Sequence, residues 1–98
     1  MKTLGSDHGI ETLDVRVTGR VQGVGFRAAT VRQAHSLKVT GWVRNAPDGS
    51  VEVLIQGDPE QVDQMLSWLH RGPPLASVHE LTHQQNHTDR LYDSFQQI

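Results

Sequence analysis

The chain has 98 residues, no cysteine and a formal net charge of −2. That length fits one domain and excludes a second, the missing cysteines exclude disulfide and thiol chemistry, and no basic run supplies affinity for a nucleic-acid backbone. No stretch approaches the roughly 20 apolar residues of a membrane span, and Met1 to Gly9 has no apolar signal-peptide core, so a soluble, cytoplasmic protein without membrane or nucleic-acid partners is expected.

Residues 1–11 are small, polar and unpatterned and read as a flexible N-terminal tail, with 12–98 as the single domain. Leu13, Val15 and Val17 alternate with Asp14, Arg16 and Thr18, the period of a half-buried strand. Gly19 to Gly25 holds three glycines in seven residues and reads as a loop. From Phe26 the period lengthens: Phe26, Ala29, Thr30, Ala34 and Leu37 recur at three- and four-residue steps and mark one helical face. Trp42 and Val43 restart a strand. The turn Asn45-Ala46-Pro47-Asp48-Gly49 then leads into Val51, Val53 and Ile55, alternating with Glu52, Leu54 and Gln56, so a hairpin is predicted.

Asp58-Pro59-Glu60 is a helix start, with an acceptor before a proline and an acid near the positive helix end. Val62, Met65, Leu66 and Leu69 form its apolar stripe, and Gly72-Pro73-Pro74 ends it. A fourth strand is expected over Val78 to His83, a polar loop over 84–90 and a short last strand over Tyr92 to Ile98. The order βαββαβ, with right-handed crossovers, predicts an α+β fold: a ferredoxin-like split arrangement, an antiparallel sheet with two helices on one face.

The chemistry-bearing segment is Gly19-Arg20-Val21-Gln22-Gly23-Val24-Gly25-Phe26-Arg27, leaving a strand and entering a helix. Glycines let successive N–H groups point inward as an anion-binding nest, and the helix start adds unpaired N–H groups. Arg27, in the first helical turn, can present paired donors to the same anion. Asn45 stands at a strand end before a turn. Its residue type allows two roles: an Asx-type turn residue, or a carboxamide that holds a water.

These two stretches resemble the acylphosphatase family. The resemblance rests on Gly-Arg-Val-Gln-Gly-Val-Gly-Phe-Arg at 19–27, Gly-Trp-Val-Arg-Asn at 41–45 and Asp-Gly-Ser-Val-Glu at 48–52, and it extends through Gln56-Gly57 and Trp68-Leu69 over about residues 13–83. It implies a hydrolase that cleaves acyl phosphates to a carboxylate and inorganic phosphate, without metal or organic cofactor; a monomer is the default expectation, although an exposed sheet edge could pair. By the same resemblance the loop Gly19, Arg20, Val21, Gln22, Gly23 and Val24 binds phosphate with Arg27, and Asn45 orients the attacking water. Three positions depart from the family pattern. Gly25 is often bulkier, which predicts slack in the loop; Ala46 replaces a threonine; and Lys38 replaces a glycine after the first helix, which predicts a positive φ there.

Rival readings weigh less. Of the six histidines, His79 and His83 lie roughly 13 Å apart along a strand, too far to share an ion; His8 and His87 fall in expected loops, and His35 and His70 near helix ends. Gly23-Val24-Gly25-Phe26-Arg27-Ala28 satisfies a dinucleotide-binding pattern, but a hairpin follows where a parallel strand is needed. An RNA-binding module of the same strand order needs stacking aromatics on its central strands, and Val51-Glu52-Val53-Leu54-Ile55-Gln56 has none. A non-catalytic phosphate- or RNA-binding ferredoxin-like module is the alternative from another class.

Overall fold

A computed structural model describes residues 9–98. The elements are β1 (Glu11–Arg20), α1 (Phe26–Leu37), β2 (Thr40–Asn45), β3 (Val51–Gly57), α2 (Pro59–Arg71), β4 (Ser77–Gln85) and β5 (Phe95–Gln97). They form one five-stranded sheet of order β4-β1-β3-β2-β5. The first four strands pair antiparallel, and β5 adds parallel to β2 through Gly41↔Phe95, Trp42↔Gln96 and Val43↔Gln97. The predicted ferredoxin-like α+β arrangement is present, with a mixed rather than wholly antiparallel sheet.

One face of the sheet carries the core. Leu13, Val15 and Val17 of β1, Val43 of β2, and Val51, Val53 and Ile55 of β3 join Phe26 and Ala34 of α1 and Val62, Met65 and Leu69 of α2 in a single buried cluster. The period-2 and period-3.6 stripes of the sequence therefore meet in one interface, so both helices lie on that face. No helix among the described residues is long and apolar enough to cross a membrane.

The helix ends follow local chemistry. Asp58 caps α2 by accepting the Glu60 amide at 3.1 Å, with Pro59 in the first turn. At the far end of α1, Lys38 adopts the expected positive φ (φ 60°, ψ 37°). Its N–H donates to His35 and that of Val39 to Ala34, the pairing of a Schellman motif built on a lysine.

Four boundaries differ from expectation. Glu11 belongs to β1, paired with Gly57, and not to the tail; the remaining tail, with His8, falls largely on residues 1–8, outside the described residues. Gly19 and Arg20 belong to β1 and not to the loop, because after a bulge they pair with Val78 and Ser77. β4 continues to Gln85 because Leu13 and Asp14 offer partners to Gln85 and Gln84. The last strand shortens to Phe95–Gln97, since the preceding residues are used differently.

Those residues form a connection, 86–94, that crosses the end of the sheet from one edge to the other. The Asn86 amide donates to Thr12, both ends of the Gln56 carboxamide bond the backbone of Arg90 and Tyr92 at 2.8 Å, and the Gly41 amide donates to Ser94. This explains why Gln56, expected to alternate outward, is buried. Leu54 is buried too, in the middle strand between its register partners Asp14 and Trp42.

Candidate active site

The turn between β1 and α1 buries its side chains and leaves its backbone outside. Val21 is buried, Val24 packs partly against the core, and Phe26 is buried with its ring 6.0 Å from that of Trp68. Gly23 and Gly25 lie exposed between them. Among the described residues, none of the amides of Gln22, Gly23, Val24 or Gly25 donates a hydrogen bond; the first bond of α1 is from Ala29 to Gly25, at 3.0 Å. The helix start is equally bare. Its N-cap, Gly25, has no side chain to cap it, and the first turn carries no acid. The result is a run of unpaired N–H groups at the positive end of α1.

Gly25 sits at φ 77°, ψ 20°, in the left-handed region. A Cβ there meets nothing within 4 Å, so backbone strain and not space is what a side chain would suffer. Glycine is therefore the residue that takes this left-handed corner without strain.

A concavity of about 150 Å³ opens over this turn, lined by Val21, Gly23, Gly25, Phe26, Arg27, Ala28, Asn45 and Gln97. It brings together Arg27 and Asn45, which are distant in sequence. Arg27 is half-buried, pairs with no Asp or Glu side chain among the described residues, and makes one long contact of 3.5 Å from Nη1 to the main-chain oxygen of Ile98. Most of its donors are thus available. Asn45 is half-buried at the end of β2, paired with Val51. Its carboxamide has no hydrogen-bond partner among the described residues, and the Asx-type role in the following turn falls to Asp48, which accepts from the Ser50 amide. Of the two roles open to Asn45 on sequence alone, the turn role is taken by another residue.

The remaining loop residues are placed differently. Gly19 and Arg20 lie in β1 outside the concavity. A Cβ on Gly19 would stand 2.3 Å from the Ser77 carbonyl oxygen, so that glycine admits β4. Gln22 directs its side chain away from the concavity and donates through Nε2 to the carbonyls of Ala46 (2.8 Å) and Ser50 (2.9 Å). Ala28 and Gln97 line the concavity without having been singled out. Ala28 carries no chemical signal of its own, and Gln97 arrives only through the parallel pairing of β5.

The family model Acylphosphatase matches residues 13–97. This chain is 58% identical over 91 residues to the acylphosphatase of Burkholderia vietnamiensis (strain G4 / LMG 22486), covering 93% of each chain. The chain belongs to the acylphosphatase family. The acylphosphatase of Coxiella burnetii superposes with a TM-score of 0.89 at 32% identity, over 94% of this chain and 96% of that one. That of Bacillus subtilis gives a TM-score of 0.86 at 30% identity, over 90% and 98%. The acylphosphatase scaffold therefore spans β1 to β5, and its C-terminal strand lies within the family match.

Proposed function

We propose that this acylphosphatase hydrolyses acyl phosphates to a carboxylate and inorganic phosphate, with the phosphoryl group held by the amides of Gln22 to Arg27 and the guanidinium of Arg27, and with Asn45 placing the water. The observation that carries this reading is one concavity bordered by Gly23, Gly25 and the uncapped start of α1, whose amides donate no hydrogen bond among the described residues, together with Arg27 and Asn45. A helix start with free N–H groups favours an anion. Arg27 adds planar, charge-assisted donors suited to phosphate oxygens.

The leaving group sets what else is needed. A carboxylate whose acid has a pKa of about 4 departs without protonation, so no general acid is required. Phosphoryl transfer depends chiefly on positioning and on stabilising charge over the equatorial oxygens. Water oxygen forms the new bond to phosphorus as the bond to the acyl oxygen breaks. The electron pair leaves with the carboxylate, and the water proton passes to a phosphate oxygen. The Asn45 carboxamide can accept from water and donate to it but cannot deprotonate it. Every group named lies on one chain.

Hydrolysis of a simple acyl phosphate by wild type, Arg27→Ala and Asn45→Ala tests the reading. The wild type should turn over, and each variant should remain folded and lose roughly 100-fold or more in kcat, the scale of removing a charge-stabilising or orienting group. A folded wild type that leaves the substrate intact would favour the phosphate-binding module without catalysis.

A further inference from the structure

The anion loop and Asn45 stand on separate pieces of backbone. The loop joins β1 to α1, whereas Asn45 precedes the turn between β2 and β3. Their separation decides whether a water at Asn45 meets a phosphoryl group at the loop. One side chain spans the two. Gln22 Nε2 donates both hydrogens, one to Ala46 O at 2.8 Å and one to Ser50 O at 2.9 Å. Both acceptors are carbonyl oxygens, so only the NH2 end of the carboxamide fits there. These two carbonyls also close the turn itself: Ala46 N–H donates to Ser50 O, and Gly49 N–H donates to Ala46 O. Gln22 thus grips the turn at both ends of its own hydrogen-bonded frame, one residue beyond Asn45.

We propose that Gln22 is a positioning residue, whose side chain sets the distance between the anion loop and Asn45 while its backbone amide serves the loop. This rests on the hydrolase reading above. Removing the side chain orphans neither carbonyl, because each keeps its backbone donor, so Gln22→Ala folds. The loop amides and Arg27 also remain, so the grip on the anion persists and only the register of the water is loosened.

The test is a split between turnover and binding, with a pH signature. Gln22→Ala should lose about 10- to 100-fold in kcat, the scale of a small misplacement, while its Kd for inorganic phosphate stays within about 2-fold of wild type. Gln22→Glu places a carboxylate against two carbonyls at pH 7 and should be no better than Gln22→Ala. A carboxyl titrating near pH 4.3 or above regains an O–H donor when protonated. The kcat ratio of Gln22→Glu to wild type should therefore rise as pH falls from about 7 to 5, with thermal unfolding showing both proteins folded throughout. An equal loss of kcat and phosphate affinity in Gln22→Ala, or a pH-independent Gln22→Glu ratio, overturns the proposal.

Amide hydrogen exchange without ligand separates this proposal from the reading beneath it. The Ala46 and Gly49 amides should exchange faster in Gln22→Ala than in wild type. Faster exchange in a protein that hydrolyses no acyl phosphate would sink the hydrolase reading and leave the brace standing. Unchanged exchange and unchanged kcat in a competent hydrolase would sink the positioning role alone.

Discussion

The Asp48 carboxylate accepts two hydrogen bonds from Ser50, one from its amide at 3.0 Å and one from its hydroxyl at 2.6 Å. Arg16 of β1 pairs with the other carboxylate oxygen and also reaches the Ser50 hydroxyl. The turn that follows Asn45 is thereby tied to β1 from one side, as Gln22 ties it to the loop from another.

This arrangement makes the turn acid-sensitive in a defined window. The Ser50 bonds first, and then Arg16, lower the Asp48 pKa from 3.8 to about 2. Between those values the unfolded chain binds more protons than the folded one, so stability rises with pH there. The contribution is complete above about pH 4 and is lost as pH falls through about 2. Melting temperature against pH should show a step in this range for wild type that is absent in Asp48→Asn. The same step in both proteins would assign it to other carboxylates.

The two ends of α1 make opposite predictions for the same conformation. Gly25 and Lys38 are both left-handed, at φ 77° and φ 60°. Lys38→Gly should stabilise the fold by about 1 kcal/mol, because glycine adopts this region without a Cβ penalty. Gly25→Ala should destabilise it by about 1 kcal/mol for the same reason. Shifts in melting temperature of about 4–8 °C in opposite directions would register this.

Gln56 offers a third check. Its buried carboxamide donates to Arg90 O and Thr12 Oγ1 and accepts from Tyr92 N. Gln56→Leu removes all three bonds while keeping bulk, and should cost about 2–3 kcal/mol through groups left unpaired. Amide exchange should accelerate at Tyr92 in particular, since its N–H loses its acceptor. Unaltered protection at Tyr92 would mean the 86–94 connection is held by other contacts.

What was legible in the sequence was what local chemistry decides. The face of α1, the Asp58-Pro59 start of α2 and the hairpin around Asn45 to Ser50 follow from residues near one another in the chain, whereas the positive φ of Lys38 was legible only through the family resemblance. The acylphosphatase resemblance gathered Arg27 and Asn45 into one reading, and the fold places both on one concavity. Features set by distant partners were not legible. Gly19 and Arg20 look like loop until β4 pairs with them, and Gln84 and Gln85 look like loop until β1 does. The burial of Gln56 depends on a connection more than 30 residues away. Gln97 enters the concavity only because β5 runs parallel to β2. In Gln22 the residue type gave no hint that its side chain would turn from the anion loop to the neighbouring turn.

In the proposed site the loop amides and the Arg27 guanidinium hold one anion while Asn45 serves the water. Calorimetric titration with inorganic phosphate of wild type, Arg27→Ala and Asn45→Ala separates the two roles. Loss of a charge-assisted pair should weaken binding by about 10-fold or more in Arg27→Ala, with Asn45→Ala remaining within about 2-fold of wild type. Undiminished phosphate binding in Arg27→Ala, or an equal loss in Asn45→Ala, would rule out this division of roles.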